Sequence, residues 1–251
     1  MASLGRPAYG AGELVALARP LGMSESTVRT SISRLSAKGF IESRARAAYA
    51  FSEKGAAIAR NIAAGFEAPD WSGWDGEYWG AAWSLPEDDK NGRYRIAKKL
   101  SLYRFAPLQP GFWIRPRNPG EKMEEKLISL IADPRFKFMA FRLLHPLTRT
   151  EAARLWKTDA AGASMRKAAA NARRLLARVD SLEPEEAFAA RYRTGGMMVD
   201  ALFSDPLLPP EFLPSDWPAR ELRDLFRKFD AATARRSRRF WEDAVGEGAK
   251  P

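Results

Sequence analysis

The chain has no cysteine and a single histidine, His145. That excludes a disulfide framework, a thiolate metal site and a thiol nucleophile, and it leaves too few ligands for a zinc cluster built from cysteine and histidine. Long apolar runs are missing as well. The opening MASLGRPAYGAGE lacks the continuous apolar stretch of a signal peptide, and nowhere does the sequence approach the roughly 18 to 20 apolar residues that span a bilayer. A cytoplasmic protein without a membrane partner is the expectation. Acidic residues are outnumbered, 31 Asp plus Glu against 41 Lys plus Arg, for a net charge of +10. Such an excess attracts polyanions over long range, and nucleic acid is the first to consider.

What is present begins with GELVALARPLGMSESTVRTSISRLSAKGFIES. A short apolar segment (Leu14, Leu17, Ala18) breaks at Pro20 and Gly22, and a second helix follows. Ser24 is placed to cap it, Glu25 suits the positive end of its dipole, and Lys38-Gly39 closes it. Val28, Ile32 and Leu35 recur at i, i+4 and i+7, which predicts one buried face and leaves Ser26, Thr27, Arg29, Thr30, Ser33 and Arg34 outside it. Two short strands are expected next, around Phe40–Arg44 and Ala48–Phe51, with Arg44 and Arg46 at their turn. Ser52 then heads a helix with Ile58, Ile62 and Phe66 at spacings of four, ended by the linker Glu67-Ala68-Pro69-Asp70.

From Trp71 to Pro146 the composition turns to aromatics and strand-like runs. Glu77–Leu85 reads as a strand. A helix carrying Ile96, Leu100 and Tyr103 follows, then two brief strands ending in Phe112-Trp113-Ile114. A helix with Met123, Leu127, Leu130 and Ile131 and a last strand, Phe136–Leu144, complete the order β-α-β-β-α-β. That is the ferredoxin-like split βαβ arrangement, in which helices cover one face of the sheet and the other face is open to a second copy. Trp71, Trp74, Trp79, Trp83 and Trp113 are best explained as its core. Beyond Pro146, helices are expected at Arg149–Arg178 with an interruption near Ala161-Gly162, at Pro184–Phe203, and at Ala219–Ala244. The fold class is therefore α+β: a winged helix-turn-helix over 1–68, a ferredoxin-like middle domain over 69–146 and an all-α C-terminal domain over 147–251.

Four segments, SESTVRTSISRLSAKGFIE, WDGEYWGAAWSLPE, FAPLQPGFWI and DPLLPPEFLPSDWPARELRDLF, resemble the PaaX-like family of repressors of phenylacetic-acid catabolism. The likeness runs from about Gly12 to Ala244. Its most specific part is the DP-LP-LP-W run of Asp205, Pro206, Leu208, Pro209, Leu213, Pro214 and Trp217. The resemblance implies an N-terminal winged helix, a middle domain similar to small CRISPR-associated endoribonucleases, and a helical dimerisation region. It also implies an effector, an aryl-acetyl or other acyl coenzyme A thioester, that releases the repressor from DNA. In one departure, members usually carry a longer helix ahead of the position of Gly12, where this chain has eleven residues of weak pattern.

The candidate site is the second helix. In a helix-turn-helix, residues near the N-terminus of that helix reach base edges in the major groove, which singles out Ser26, Thr27, Arg29 and Thr30, with Ser33 and Arg34 beyond. Arg29 is the favoured base contact, because a guanidinium can donate twice to guanine. Arg44 and Arg46 suit phosphate or the minor groove. The run Arg235-Arg236-Ser237-Arg238-Arg239 reads as a solvated helix face and is left out. The expected partners are double-stranded DNA and a second copy of the chain, forming a homodimer; no cofactor or metal is expected. Two rival readings remain: a metal-dependent endoribonuclease, and an interaction scaffold that has lost DNA binding. The nuclease reading is disfavoured because the first strand of the middle domain ends without a carboxylate, and Asp88 and Asp89 look like helix-start residues.

Overall fold

The computed structural model describes residues 8–44, 48–64, 67–85, 88–119, 133–247 and, between the last two stretches, Met123, Glu125 and Leu127. The chain divides into two compact units, each discontinuous in sequence. One comprises 1–67, 164–203 and 218–251, the other 68–163 and 204–217.

In the first unit, α1 (Ala11–Ala18) passes through a 3-10 turn at Arg19–Leu21 into α2 (Glu25–Ala37). The strands β2 (Ile41–Arg44) and β3 (Ala48–Phe51) form an antiparallel hairpin, and α3 spans Glu53–Ala64. A short strand, β1 (Tyr9–Gly10), pairs with β3, so the sheet order is β1-β3-β2. The periodicity of α2 holds for Val28 and Ile32, which are buried with Ala18 under Leu14, Val15, Ile41 and Tyr49. It fails for Leu35, which is 42% exposed, and the same is true of Ile58 on α3. Leu35 instead sits at the helix end, where a Schellman turn closes α2: the amide of Phe40 donates to Leu35 O (2.9 Å) and that of Gly39 to Ser36 O (2.8 Å). Gly39, at φ 69°, supplies the left-handed residue that this turn requires. Ile62 and Phe66 have side chains outside the described residues.

The same unit contains most of α6 (Thr158–Leu176), together with α7 (Pro184–Phe203) and α8 (Ala219–Glu247). Arg191 on α7, its side chain 11% exposed, bonds Asp230 on α8 through Nε (2.7 Å) and Nη2 (3.1 Å). Val179, Leu182 and Ala187 pack with Leu175, Ala190 and Ala232. A separate cluster unites the two ends of the chain: Tyr9, Leu14 and Leu17 pack with Phe188, Tyr192, Phe240, Trp241, Ala244 and Val245.

The second unit carries β4 (Glu77–Trp83), α4 (Lys90–Leu102), β5 (Ala106–Gln109), β6 (Phe112–Pro116) and β7 (Phe136–Arg142), with Met123, Glu125 and Leu127 helical between β6 and β7. Strand order is β5-β6-β4-β7 with antiparallel neighbours, the split βαβ order read from the sequence. Strands alternate their side chains. Trp79, Ala81 and Trp83 of β4 face a core with Ile96, Leu100, Met123 and Leu127, where Trp113 and Phe138 also pack. Tyr78 of β4, Ile114 and Phe141 face the other way, onto Ala152, Trp156, Leu208 and Phe212.

That second face corrects an expectation. It is not left for a second copy, because α5 (Arg149–Trp156) and the 204–217 segment of the same chain cover it. The reason lies in the residues. A face carrying Tyr78, Ile114 and Phe141 loses much apolar area to water unless covered, and Trp156 seals it while its indole donates to Arg104 O (2.9 Å). The DP-LP-LP-W run takes its shape here: Asp205, 2% exposed, accepts from the Leu207 amide (3.1 Å) and from Trp217 Nε1 (3.2 Å).

Several boundaries move. The break expected near Ala161-Gly162 falls earlier, at Lys157, whose φ of 54° is left-handed. There α5 ends and α6 begins, while Gly162 is buried inside α6. Strand β4 stops at Trp83 and β7 at Arg142, leaving Leu144 97% exposed. The last helix continues to Glu247.

Candidate nucleic-acid interface

The geometry of α2 follows from its start. Ser24 is the N-cap, its Oγ accepting from the Thr27 amide (3.2 Å), and Glu25 occupies the first turn. At 100° per residue, Ser26, Thr30 and Ser33 form a ridge opposite buried Val28 and Ile32; Arg29 flanks it on one side, Thr27 and Arg34 on the other. All six are exposed.

Local bonds organise this face. Ser24 Oγ lies 3.0 Å from Ser26 Oγ and 2.8 Å from Thr27 Oγ1. Ser33 Oγ donates to Arg29 O (3.1 Å). Arg29 pairs through Nε with Glu25 Oε1 at 2.7 Å, with both side chains more than half exposed. Such a pair contributes a few tenths of a kcal/mol at most. It holds the guanidinium by its Nε edge and leaves the two Nη groups for an end-on acceptor.

The hairpin contributes Arg44, at the end of β2, which pairs with Glu42 at 2.6 Å. Arg46 lies outside the described residues. Lys54 was not singled out by sequence reasoning. It stands at the start of α3, donates to Lys38 O (2.8 Å) and lies 4.6 Å from the Phe40 ring centroid, adding a cation at the C-terminal end of α2. Nothing in the local pattern joins residues sixteen apart, so this contact belongs to the tertiary fold.

In the second unit, Asp89 is the N-cap of α4, its Oδ1 accepting from the Gly92 amide at 2.7 Å. Among the described residues, no three His, Cys, Asp or Glu stand close enough to hold a metal ion. No described helix is long and apolar enough to cross a membrane.

Fold and site define a mixed helix-and-sheet protein: a short helix pair with a polar outer face, a hairpin beside it, and a split βαβ domain. The chain belongs to the PaaX-like family. Residues 4–55 match the model for PaaX-like protein, 72–153 that for the PaaX protein central Cas2-like domain, and 156–243 that for the PaaX-like protein C-terminal domain. The chain is 28% identical over 229 residues to the transcriptional repressor PaaX of Escherichia coli strain K12, covering 85% of this chain and 71% of that protein. In fold it is similar to an uncharacterized protein from Mycobacterium tuberculosis, with a TM-score of 0.64, 22% identity and coverage of 95% and 94% of the two chains.

Proposed function

We propose that this protein is a sequence-specific, DNA-binding transcriptional repressor whose reader is the winged helix-turn-helix formed by α1, α2 and the β2–β3 hairpin. The observation that carries the reading is the outer face of α2. Six polar side chains, Arg29 and Arg34 among them, project from a helix whose opposite face is buried, and a second arginine-bearing element stands next to it in sequence. The net charge of +10 favours the partner's sign, and the name of the E. coli relative supports the direction of control.

The reader works as a homodimer in this account, because one short helix covers only a few base pairs, whereas two on a two-fold axis read half-sites one helical turn or a multiple of it apart. An effector, by family resemblance an acyl coenzyme A, lowers DNA affinity by preferring the conformation with displaced heads. No catalysis is part of this reading; Asp89, one of the two aspartates that follow β4 in sequence, is used as a helix cap.

The test is to sequence the genomic fragments the protein retains and titrate the recovered duplex against random DNA of equal length. A clear preference is expected. Equal affinity for both would end the repressor reading and leave an interaction scaffold.

A further inference from the structure

The turn between α1 and α2 spends its own amides on nearby carbonyls. Gly22 N donates to Arg19 O (2.9 Å) and Met23 N to Ala18 O (3.4 Å). The carbonyl of Pro20 takes a different partner, 173 residues away: Arg193 Nη2, at 3.0 Å. The donor stands on a fixed base. Around it on α7, Thr194, Gly195 and Met198 are buried, and Arg191, two residues earlier, is locked to Asp230 of α8. The C-terminal helices therefore grip the reader at two points, an apolar one where Leu14 and Leu17 of α1 meet Phe240 and Trp241, and a polar one at the turn.

We infer that Arg193 is a positioning residue for the reader: by holding the Pro20 carbonyl it fixes the turn, and so the angle at which the N-terminal end of α2 is presented to a groove. The apolar contact sets where α1 lies, but α2 leaves the turn only after Gly22, a left-handed joint at φ 76° that glycine adopts without strain, so the hydrogen bonds of the turn, with the packing of Val28 and Ile32 on Ala18, set the direction of α2. Ser26 and Arg29 lie within two helical turns of that joint, so a shift there displaces the residues that would meet base edges. Arg193 is itself exposed, and removing it opens no cavity in the core.

The inference rests on α2 being a DNA reader, and two measurements separate its failure from that of the reading. Hydrogen exchange at the Gly22 and Met23 amides needs no DNA. In Arg193→Ala it should run about three- to tenfold faster, the equivalent of one lost hydrogen bond, with the thermal midpoint unchanged. Affinity for the retained duplex should fall by a similar factor with its salt slope intact, since no phosphate contact is lost. Arg193→Lys, which keeps a donor, should restore most of both. Unchanged exchange at the two amides would overturn the latch, and a flatter salt slope would reassign Arg193 to phosphate. A wild type that prefers no duplex would defeat the reading of α2, while the exchange result would still decide the latch.

Discussion

At the scale of single residues, the proposed function assigns different contacts to Arg29 on α2 and to Arg44 at the end of β2. Arg29, with both Nη groups left by its Glu25 pair, is suited to a base edge. Arg29→Ala should weaken specific binding by about 1 to 3 kcal/mol and relax the preference at one position. Arg44→Ala should weaken all sequences alike and lower the salt slope by about one. Titration at two salt concentrations distinguishes them. Tyr78 offers a different test. It is 2% exposed, its hydroxyl finds no hydrogen-bond partner among the described residues, and burial, helped by the charge of Glu211, pushes its pKa up from 10.0 to about 12. A raised folded pKa means the unfolded chain loses this proton first. The contribution to stability is whole below pH 10 and is lost as pH climbs through 12. Tyr78→Phe removes an unsatisfied group, so stability at neutral pH should hold or rise while the alkaline fall between those pH values shrinks. Chemical denaturation of both proteins across that range checks this, and an equal alkaline loss in the variant would refute it.

At the scale of elements, close approach and backbone strain are opposed in sign. Gly55, in the first turn of α3, lies where a Cβ would sit 2.0 Å from Phe40 O. Alanine improves helix propensity by up to about 1 kcal/mol, but the clash is with backbone and costs more, about 1 to 3 kcal/mol. Gly55→Ala should therefore lower stability, and it should loosen the Ser52 bonds to Gly39 O (2.6 Å) and from Gly55 N (3.1 Å) that tie α3 to the end of α2. Lys157 is the reverse case. It holds a left-handed conformation between α5 and α6 with a side chain that disfavours it. Lys157→Gly should raise stability by about 0.5 to 1 kcal/mol in a thermal melt, whereas Lys157→Ala, which keeps the strain, should not.

At the scale of the whole molecule, α1 shares its core with the C-terminal helices. Phe240 packs against Phe188 with ring centroids 5.0 Å apart, in the cluster that holds Tyr9 and Leu17. Phe240→Ala should cost about 1 to 3 kcal/mol, less than for a fully buried phenylalanine because the side chain is only partly buried, and expose α1 to hydrogen exchange, although the two lie more than two hundred residues apart. If α1 stays protected as before, the α1–α2 pair folds independently.

Much of this could be read from the amino acids. The period of Val28 and Ile32, the capping Ser24, Gly39 past the end of α2, and the alternation along Glu77–Trp83 are local signals, because helix and strand bury a face whose spacing is set by backbone geometry alone. That Ser26, Thr27, Arg29, Thr30, Ser33 and Arg34 lie outside the buried face of α2 was legible for the same reason. Lys54 on Lys38 O, Arg193 on Pro20 O, Trp156 across the second face of the sheet and Phe240 beneath α1 were not. A periodic pattern says that a face must be covered but carries nothing about which distant segment covers it. That choice was made by the tertiary structure, where apolar area and leftover carbonyls are satisfied by whichever complementary surface the folded chain brings near.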